Sequence, residues 1–328
     1  MAHLDGFDGS VLIADIGGTN IRYAVLAPGE ALGPIGALRG DDFESFEDLV
    51  EEMWHGTPPD GRARAAMLAV ACPPEPEVIR FTNRDWQFSK AALQARFGLE
   101  KLAVVNDFAA VALALPHLTE ADTARFGNGG ATQRGGPMAV LGPGTGLGVA
   151  GLMPHGTSWL AVAGEGGHTT LAAQNAREAE IIACLTRRHG HVSAERVLSG
   201  PGLAALHDVL REIGGLSPRP LTAADVVEIA TRDEDPTAVE VIGYFADFLG
   251  TVASDTALTF GATGGVFLAG GVLPRIGALF PAGRFRARFE AKGRFGDYCA
   301  QISTRLITHP NVALVGLAGA LPQMMSDG

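Results

Sequence analysis

Val11-Leu-Ile-Ala-Asp-Ile-Gly-Gly-Thr-Asn-Ile-Arg-Tyr-Ala-Val-Leu26 is a β-rich apolar run, a Gly-Gly-Thr break and a second β-rich run. Met138-Ala-Val-Leu-Gly-Pro-Gly-Thr-Gly-Leu-Gly-Val-Ala-Gly-Leu-Met153 repeats that design. Both read as hairpins with glycine tips, because glycine supplies the turn and the flanking residues favour strands. Each is followed by a further short strand, around Ile35 to Leu38 and Trp159 to Val162, and later by strands alternating with helices. An ancestral duplication is one explanation of the pair.

Outward from these hairpins, Ala65 to Cys72 reads as a buried strand. Leu102 to Val105 is another, running into Asn106-Asp107 and the helical pattern Phe108 to Leu115, which Pro116 stops. Helices are expected at Ala176 to Arg188, Gly202 to Glu212 and Ala223 to Thr231. A long one follows Asp235-Pro236, a cap with proline at the first helical position, and runs to Thr259 with Val239, Ile242, Phe245, Leu249 and Val252 near one stripe. Gly265 to Ala269 is a last central strand ending at Gly270-Gly271, Pro274 opens a helix, and Ile302 to Ile307 is a later strand. The alternation predicts an α/β protein of two lobes. No low-complexity linker separates them, so the boundary is expected as a hinge near Leu115 to Thr119.

The chain has 328 residues, 25 Lys plus Arg against 36 Asp plus Glu, a net charge of −11, and 47% hydrophobic residues. That composition excludes disorder, and the length suits two domains. The acidic balance argues against a nucleic-acid partner or an anionic membrane, both of which want a basic stripe. A small neutral or metal-chelated ligand fits better. Cys72, Cys184 and Cys299 stand far apart without C-x-x-C, so reduced, buried thiols are expected rather than disulfides or a cysteine zinc site. Asp5 and Asp8 stand where a secretory leader carries positive charge. The longest weakly polar window, 138–153, holds five glycines and a proline, too short and broken for a membrane helix. A cytoplasmic protein is expected.

Four constellations are candidates for chemistry. In Asp15-Ile-Gly17-Gly18-Thr19-Asn20, backbone N–H groups of a tight glycine turn can face phosphate oxygens, while an acidic side chain at the strand end holds magnesium through water. A plain hairpin tip is an equal alternative. Gly142-Pro-Gly144-Thr145-Gly146-Leu-Gly148 carries more glycine than a hairpin needs, which suggests close backbone approach to a ligand. It fails G-x-G-x-x-G at Leu147, and no G-K-[ST] occurs in the chain, so dinucleotide-fold and Walker-type binding are disfavoured. Asp107 stands where a carboxylate could orient a hydroxyl and accept its proton; an N-cap to the following helix is the competing reading. Glu165, His168, Glu195 and Asn106 together could receive the ring hydroxyls of a sugar, since carboxylates accept twice and histidine donates or accepts. Taken singly, each reads as an ordinary surface or turn residue. Glu165 and His168 as metal ligands lack a third partner of suitable spacing.

In chain order, Asp15-Ile-Gly-Gly-Thr-Asn20, Thr82-Asn83 with Trp86, Asn106-Asp107-Phe-x-Ala110 and Gly144-Thr-Gly-Leu-Gly148 come first. Gly164-Glu-Gly-Gly-His168, Glu195-Arg-Val-Leu-Ser-Gly-Pro-Gly202, Gly264-Gly-Val-Phe-Leu-Ala-Gly-Gly271 and Phe289-Glu-x-Lys-Gly-Arg-Phe295 follow. This set resembles the bacterial ATP-dependent glucokinase family over nearly the whole chain. The resemblance implies a two-lobe actin/hexokinase-like (ribonuclease H-like) α/β fold. The small lobe would be residues 1–117 plus 309–328 and the large one 118–308, closing over D-glucose in a cleft. It implies Asp107 as catalytic base and Asn106, Glu165, His168 and Glu195 as glucose ligands. Asp15, Gly17, Gly18, Thr19 and Asn20 form one phosphate loop, Gly144, Thr145 and Gly146 the other, and Gly270-Gly271 the turn beside the adenosine. Mg2+ comes with ATP, bridged by water to Asp15, with no metal held directly by the protein. A cytoplasmic homodimer making glucose 6-phosphate, the first step of glycolysis, is the expectation, with neither nucleic acid nor membrane as partner.

Cys72-Pro-Pro-Glu-Pro-Glu77 and Pro143 depart from what the resemblance leads one to expect, and bear on nucleotide-loop geometry rather than on sugar binding. A related superfamily of sugar kinases and repressors carries a cysteine zinc cluster and, in its repressors, an N-terminal helix-turn-helix. Neither is present in this sequence. Kinases for mannose, glucosamine or fructose, and a sugar-responsive regulatory protein without phosphotransfer, remain alternatives, as does a chaperone-type ATPase. ATP, ADP and polyphosphate are not distinguished, because such loops do not read the base.

Overall fold

The computed structural model describes residues 9–27, 32–55, 63–81 and 84–326. Asp5, Asp8, Thr82 and Asn83 lie outside the described residues. The chain divides into two compact units. The first comprises 1–119, 155–163 and 309–328, the second 120–154 and 164–308. Residues 155–163 thus join the first unit, an excursion that boundaries at 1–117 plus 309–328 and at 118–308 leave out.

In the first unit, β1 (Val11–Ile16) and β2 (Asn20–Leu26) form an antiparallel hairpin, with β3 (Gly36–Arg39) on its outer side. Helix α1 (Phe46–His55) precedes β4 (Ala65–Val70), which lies parallel to β1. A small hairpin, β5 (Val78–Arg80) and β6 (Gln87–Ser89), leads into α2 (Lys90–Phe97). Next, β7 (Lys101–Asn106) adds parallel to β4, and α3 (Asp107–Ala114) leaves its carboxyl end. The sheet order is β3-β2-β1-β4-β7. Its core joins β1 and β4 to Phe46, Leu49, Met53 and Phe88.

The second sheet repeats the plan. β8 (Thr123–Arg125) is followed by the hairpin β9 (Met138–Pro143) and β10 (Leu147–His155), then β11 (Ser158–Gly164). Helices α4 (Ala176–His189), α5 (Ala194–Val197), α6 (Gly200–Ile213), α7 (Ala223–Thr231) and α8 (Pro236–Phe260) come next. β12 (Val266–Leu268) lies parallel to β9, with α9 (Val272–Ile276), α10 (Ala282–Glu290) and α11 (Gly296–Gln301) before β13 (Thr304–Ile307). The order β11-β10-β9-β12-β13-β8 matches the first sheet strand for strand through β13 and adds β8 at the edge. Two hairpin-led sheets with the same connectivity are what duplication of one unit leaves behind. The chain ends in α12 (Val312–Ser326), which packs on α3 in the first unit.

Helix α8 starts as its sequence demands, with Asp235 capping the Thr237 N–H and Pro236 at the first position. The stripe holds for Ile242, Phe245, Leu249 and Val252, but Val239 is 44% exposed. Because α8 is enclosed by α6, α7 and α10, nearly its whole circumference past the first turns is buried, Asp247, Thr251 and Ser254 included, and periodicity alone misassigns Val239 at its open end. Pro274 stands inside α9, which opens at Val272. Cys72, Cys184 and Cys299 are buried and free. No helix among the described residues is long and apolar enough to cross a membrane.

Candidate active site

The candidate residues fall into two sets, one in each unit. In the first unit the parallel register aligns Ile16 with Val70 and Val70 with Asn106, so β1, β4 and β7 end on one edge. Asp15 and Asn106-Asp107 stand there two strand spacings apart, about 10 Å. Side chains at the carboxyl ends of parallel strands are free of the ladder and can serve a ligand.

The first glycine turn follows β1. A Cβ on Gly17 would lie 2.8 Å from the Asn20 carbonyl oxygen, so the tightness of the turn requires glycine. Gly18, Thr19 and Asn20 are exposed. The turn is braced from behind: the Gly40 N–H donates to the Thr19 carbonyl at 3.0 Å, and the Arg84 Nε donates to the Gly18 carbonyl at 2.7 Å. Arg84 also bonds Asp41 and lies 4.8 Å from the Trp86 ring centroid. Sequence reasoning passed over Arg84, because its partner Gly18 is 66 residues away and no local pattern marks the pair.

Asn106, not Asp107, caps α3. Its Oδ1 accepts from the Phe108 N–H at 2.9 Å and the Ala109 N–H at 3.2 Å, with extended backbone angles. Asp107 therefore occupies the first helical position. Its Oδ1 also accepts from the Phe108 N–H, at 2.8 Å, and its charge acts on Asp15 and Cys72. Burial, followed by the charge of Asp107, pushes Asp15 up to about 6 against the pull of Arg22. The same two causes raise the Cys72 thiol to about 11. A carboxyl raised by burial and by a neighbouring charge at a strand edge is a candidate functional group.

Helix α3 is held in place by close backbone packing. A Cβ on Gly316 of α12 would sit 1.8 Å from the Ala110 carbonyl oxygen, one turn beyond Asp107. A glycine within an apolar terminal helix carried no signal of this in the sequence.

In the second unit the tip of the β9–β10 hairpin is Gly144-Thr145-Gly146, with Pro143 opposite Leu147 in the last strand pair. Pro143 thus closes β9 and leaves the tip to the glycines. The Gly270 backbone, at φ +82°, lies against this strand end, and a Cβ there would fall 2.3 Å from the Pro143 oxygen. The two glycine motifs adjoin.

Three of the four sugar candidates, Glu165, His168 and Glu195, gather at the same hairpin, while Asn106 stands at the end of β7. Gly167 packs so closely that a Cβ would lie 2.1 Å from the Leu147 oxygen, and one on Gly166 would meet Val149. These contacts set the loop carrying Glu165 and His168 directly on β10. Backbone bonds from Ala194 N–H to the Thr169 oxygen and from Leu171 N–H to the Val192 oxygen join it to the α5 segment, which bears Glu195. His168 Nε2 stands 3.9 Å from Glu165 Oε2 and 3.9 Å from Glu195 Oε1. Glu165 and His168 are exposed and Glu195 half-buried, so the cluster presents acceptors and a donor to an incoming polar molecule.

The chain is similar to known proteins over most of its length. A family model described as Glucokinase matches residues 12–324. The chain is 44% identical over 316 residues to a glucokinase of Aromatoleum aromaticum, covering 96% of this chain and 95% of that one. It is 45% identical to a glucokinase of Nitrobacter hamburgensis, covering 94% and 95%. A crystal structure of a glucokinase from an Antarctic psychrotroph superposes with a TM-score of 0.88 at 34% identity, covering 97% of this chain and 99% of that one. With the actin/hexokinase-like sheet pair, the two glycine hairpins and these relatives in agreement, the chain belongs to the glucokinase family.

Proposed function

We infer that this protein transfers the γ-phosphoryl group of MgATP to the 6-hydroxyl of D-glucose, releasing glucose 6-phosphate and ADP. The observation that carries the reading is the gathering of Glu165, His168 and Glu195 on the Gly144-Thr145-Gly146 hairpin, hydroxyl acceptors built onto a phosphate-type loop. A chaperone-type ATPase has no use for them. Asn106, Glu165, His168 and Glu195 take the sugar hydroxyls. Asp107 orients the 6-hydroxyl and accepts its proton as the O6–P bond forms and the bond to the β-phosphate oxygen breaks. Gly17, Gly18, Thr19 and Asn20 with Gly144, Thr145 and Gly146 offer backbone donors to the phosphates, and Gly270-Gly271 adjoin the adenosine.

Magnesium enters as part of the nucleotide substrate. Asp15, with its carboxyl raised beside that of Asp107, suits the hydration shell of a cation better than a direct bond to phosphate. The reading extends to a cytoplasmic homodimer, supported by the family resemblance and tested by light scattering, where the mass of a single chain would overturn it.

The discriminating experiment is a hexose panel with ATP, ADP and polyphosphate as donors, read by sugar phosphate formed. Glucose with MgATP is expected to give the highest kcat/KM. A higher value for mannose, glucosamine or fructose would reassign the substrate, and sugar binding without any phosphate ester would make the protein a regulator.

A further inference from the structure

Glu195 touches more than the sugar cluster. Its Oε2 accepts the Leu147 N–H at 2.9 Å, at the residue where the Gly144-Thr145-Gly146 tip rejoins β10. Its Oε1 faces the other way, toward His168. The carboxylate lies against the tip itself, since a Cβ on Gly146 would fall 2.4 Å from Oε2. Five residues on, the Gly200 N–H donates to the Gly144 carbonyl at 2.8 Å, so the segment bearing Glu195 braces both sides of the phosphate hairpin. The side chain is one-third exposed, which leaves it able to change rotamer when nothing fixes it.

The geometry points to Glu195 as a positioning residue that couples the two substrates. One oxygen holds the phosphate hairpin while the other receives the sugar, so whichever substrate binds first orders the carboxylate for the second. This rests on the assignment of Glu195 to the sugar. Ordering a shared group costs conformational entropy once rather than twice, which makes binding synergistic, and linkage requires the same factor in both directions. Couplings of this kind are commonly about 5–150-fold.

The test is a binding cycle by calorimetry on the full chain, using glucose and the non-transferring analogue MgAMP-PNP, each alone and each with the other saturating. Wild type is expected to bind either ligand at least about fivefold tighter in the presence of the other, with equal factors. Glu195→Ala should weaken glucose binding alone and bring the coupling factor close to one. Gly146→Ala should abolish coupling from the opposite side, because its methyl displaces Oε2 from Leu147 without removing the carboxylate. The double variant should couple no less than either single one. Unchanged glucose affinity in Glu195→Ala would reject the sugar assignment itself. Weakened glucose affinity with wild-type coupling would leave that assignment standing and overturn the link. Wild-type coupling in Gly146→Ala, or no coupling in wild type, would overturn it equally.

Discussion

Replacing Gly316 by alanine perturbs catalysis from a residue with no place in the site. The added methyl would sit 1.8 Å from the Ala110 carbonyl oxygen and 2.8 Å from the Ala114 nitrogen, both backbone atoms of α3. An unstrained carbon–oxygen contact needs about 3.3–3.6 Å, so α12 and α3 must separate by roughly 1.5 Å at this point. Overpacking of this kind costs about 1–3 kcal/mol, or a Tm lowered by about 2–12 °C for a unit of this size. Asp107 stands one turn from Ala110, and displacement of a reacting group by about 1 Å can cost about 10²-fold in rate. A coupled ADP assay on folded Gly316→Ala should therefore show kcat reduced by up to about 10²-fold, with the MgATP constant changed far less. Gly283→Ala, on α10 where nothing lies within 4 Å of the new methyl, serves as control and should leave kcat unchanged. A Gly316→Ala enzyme with wild-type kcat and Tm would refute both the packing argument and the idea that α3 sets the position of Asp107.

Asp15→Asn should separate stability from activity. A carboxyl whose native pKa is raised from 3.8 to about 6 binds more protons folded than unfolded, so it lowers stability as pH rises through that window and keeps it low above. The amide should raise Tm at pH 7.5, by up to about 3 kcal/mol of stability, with no gain at pH 3.5, while turnover falls. A less stable Asp15→Asn at pH 7.5 would show that burial and Asp107 do not strain the ionised group. Arg84→Ala should raise the apparent MgATP constant more than the glucose constant, since it frees the Gly18 carbonyl and with it the turn proposed to hold phosphate. Equal effects on both constants would assign Arg84 a general structural role.

The hairpins were legible because a Gly-Gly-Thr or Gly-Thr-Gly break between β-rich runs leaves the backbone few alternatives. The start of α8 was legible because Asp235-Pro236 carries its cap in the local sequence. The cap of α3 falls on Asn106 rather than on Asp107, whose competing reading was that cap; both are good caps and only the backbone angles separate them. What the sequence hid depends on distant approach. Gly316 is small because Ala110 is there, and Gly40 lies close under the guanidinium of Arg84. Glu195 was recognisable as a polar candidate, but its bond to Leu147, 48 residues away, required the fold.

The central claim, that Asp107 takes the proton of the attacking hydroxyl, is tested most directly by the turnover of Asp107→Asn alongside its glucose affinity. A fall in kcat of about 10²–10⁴ with glucose binding retained is the predicted result. Near-normal turnover with the carboxylate gone would contradict the account.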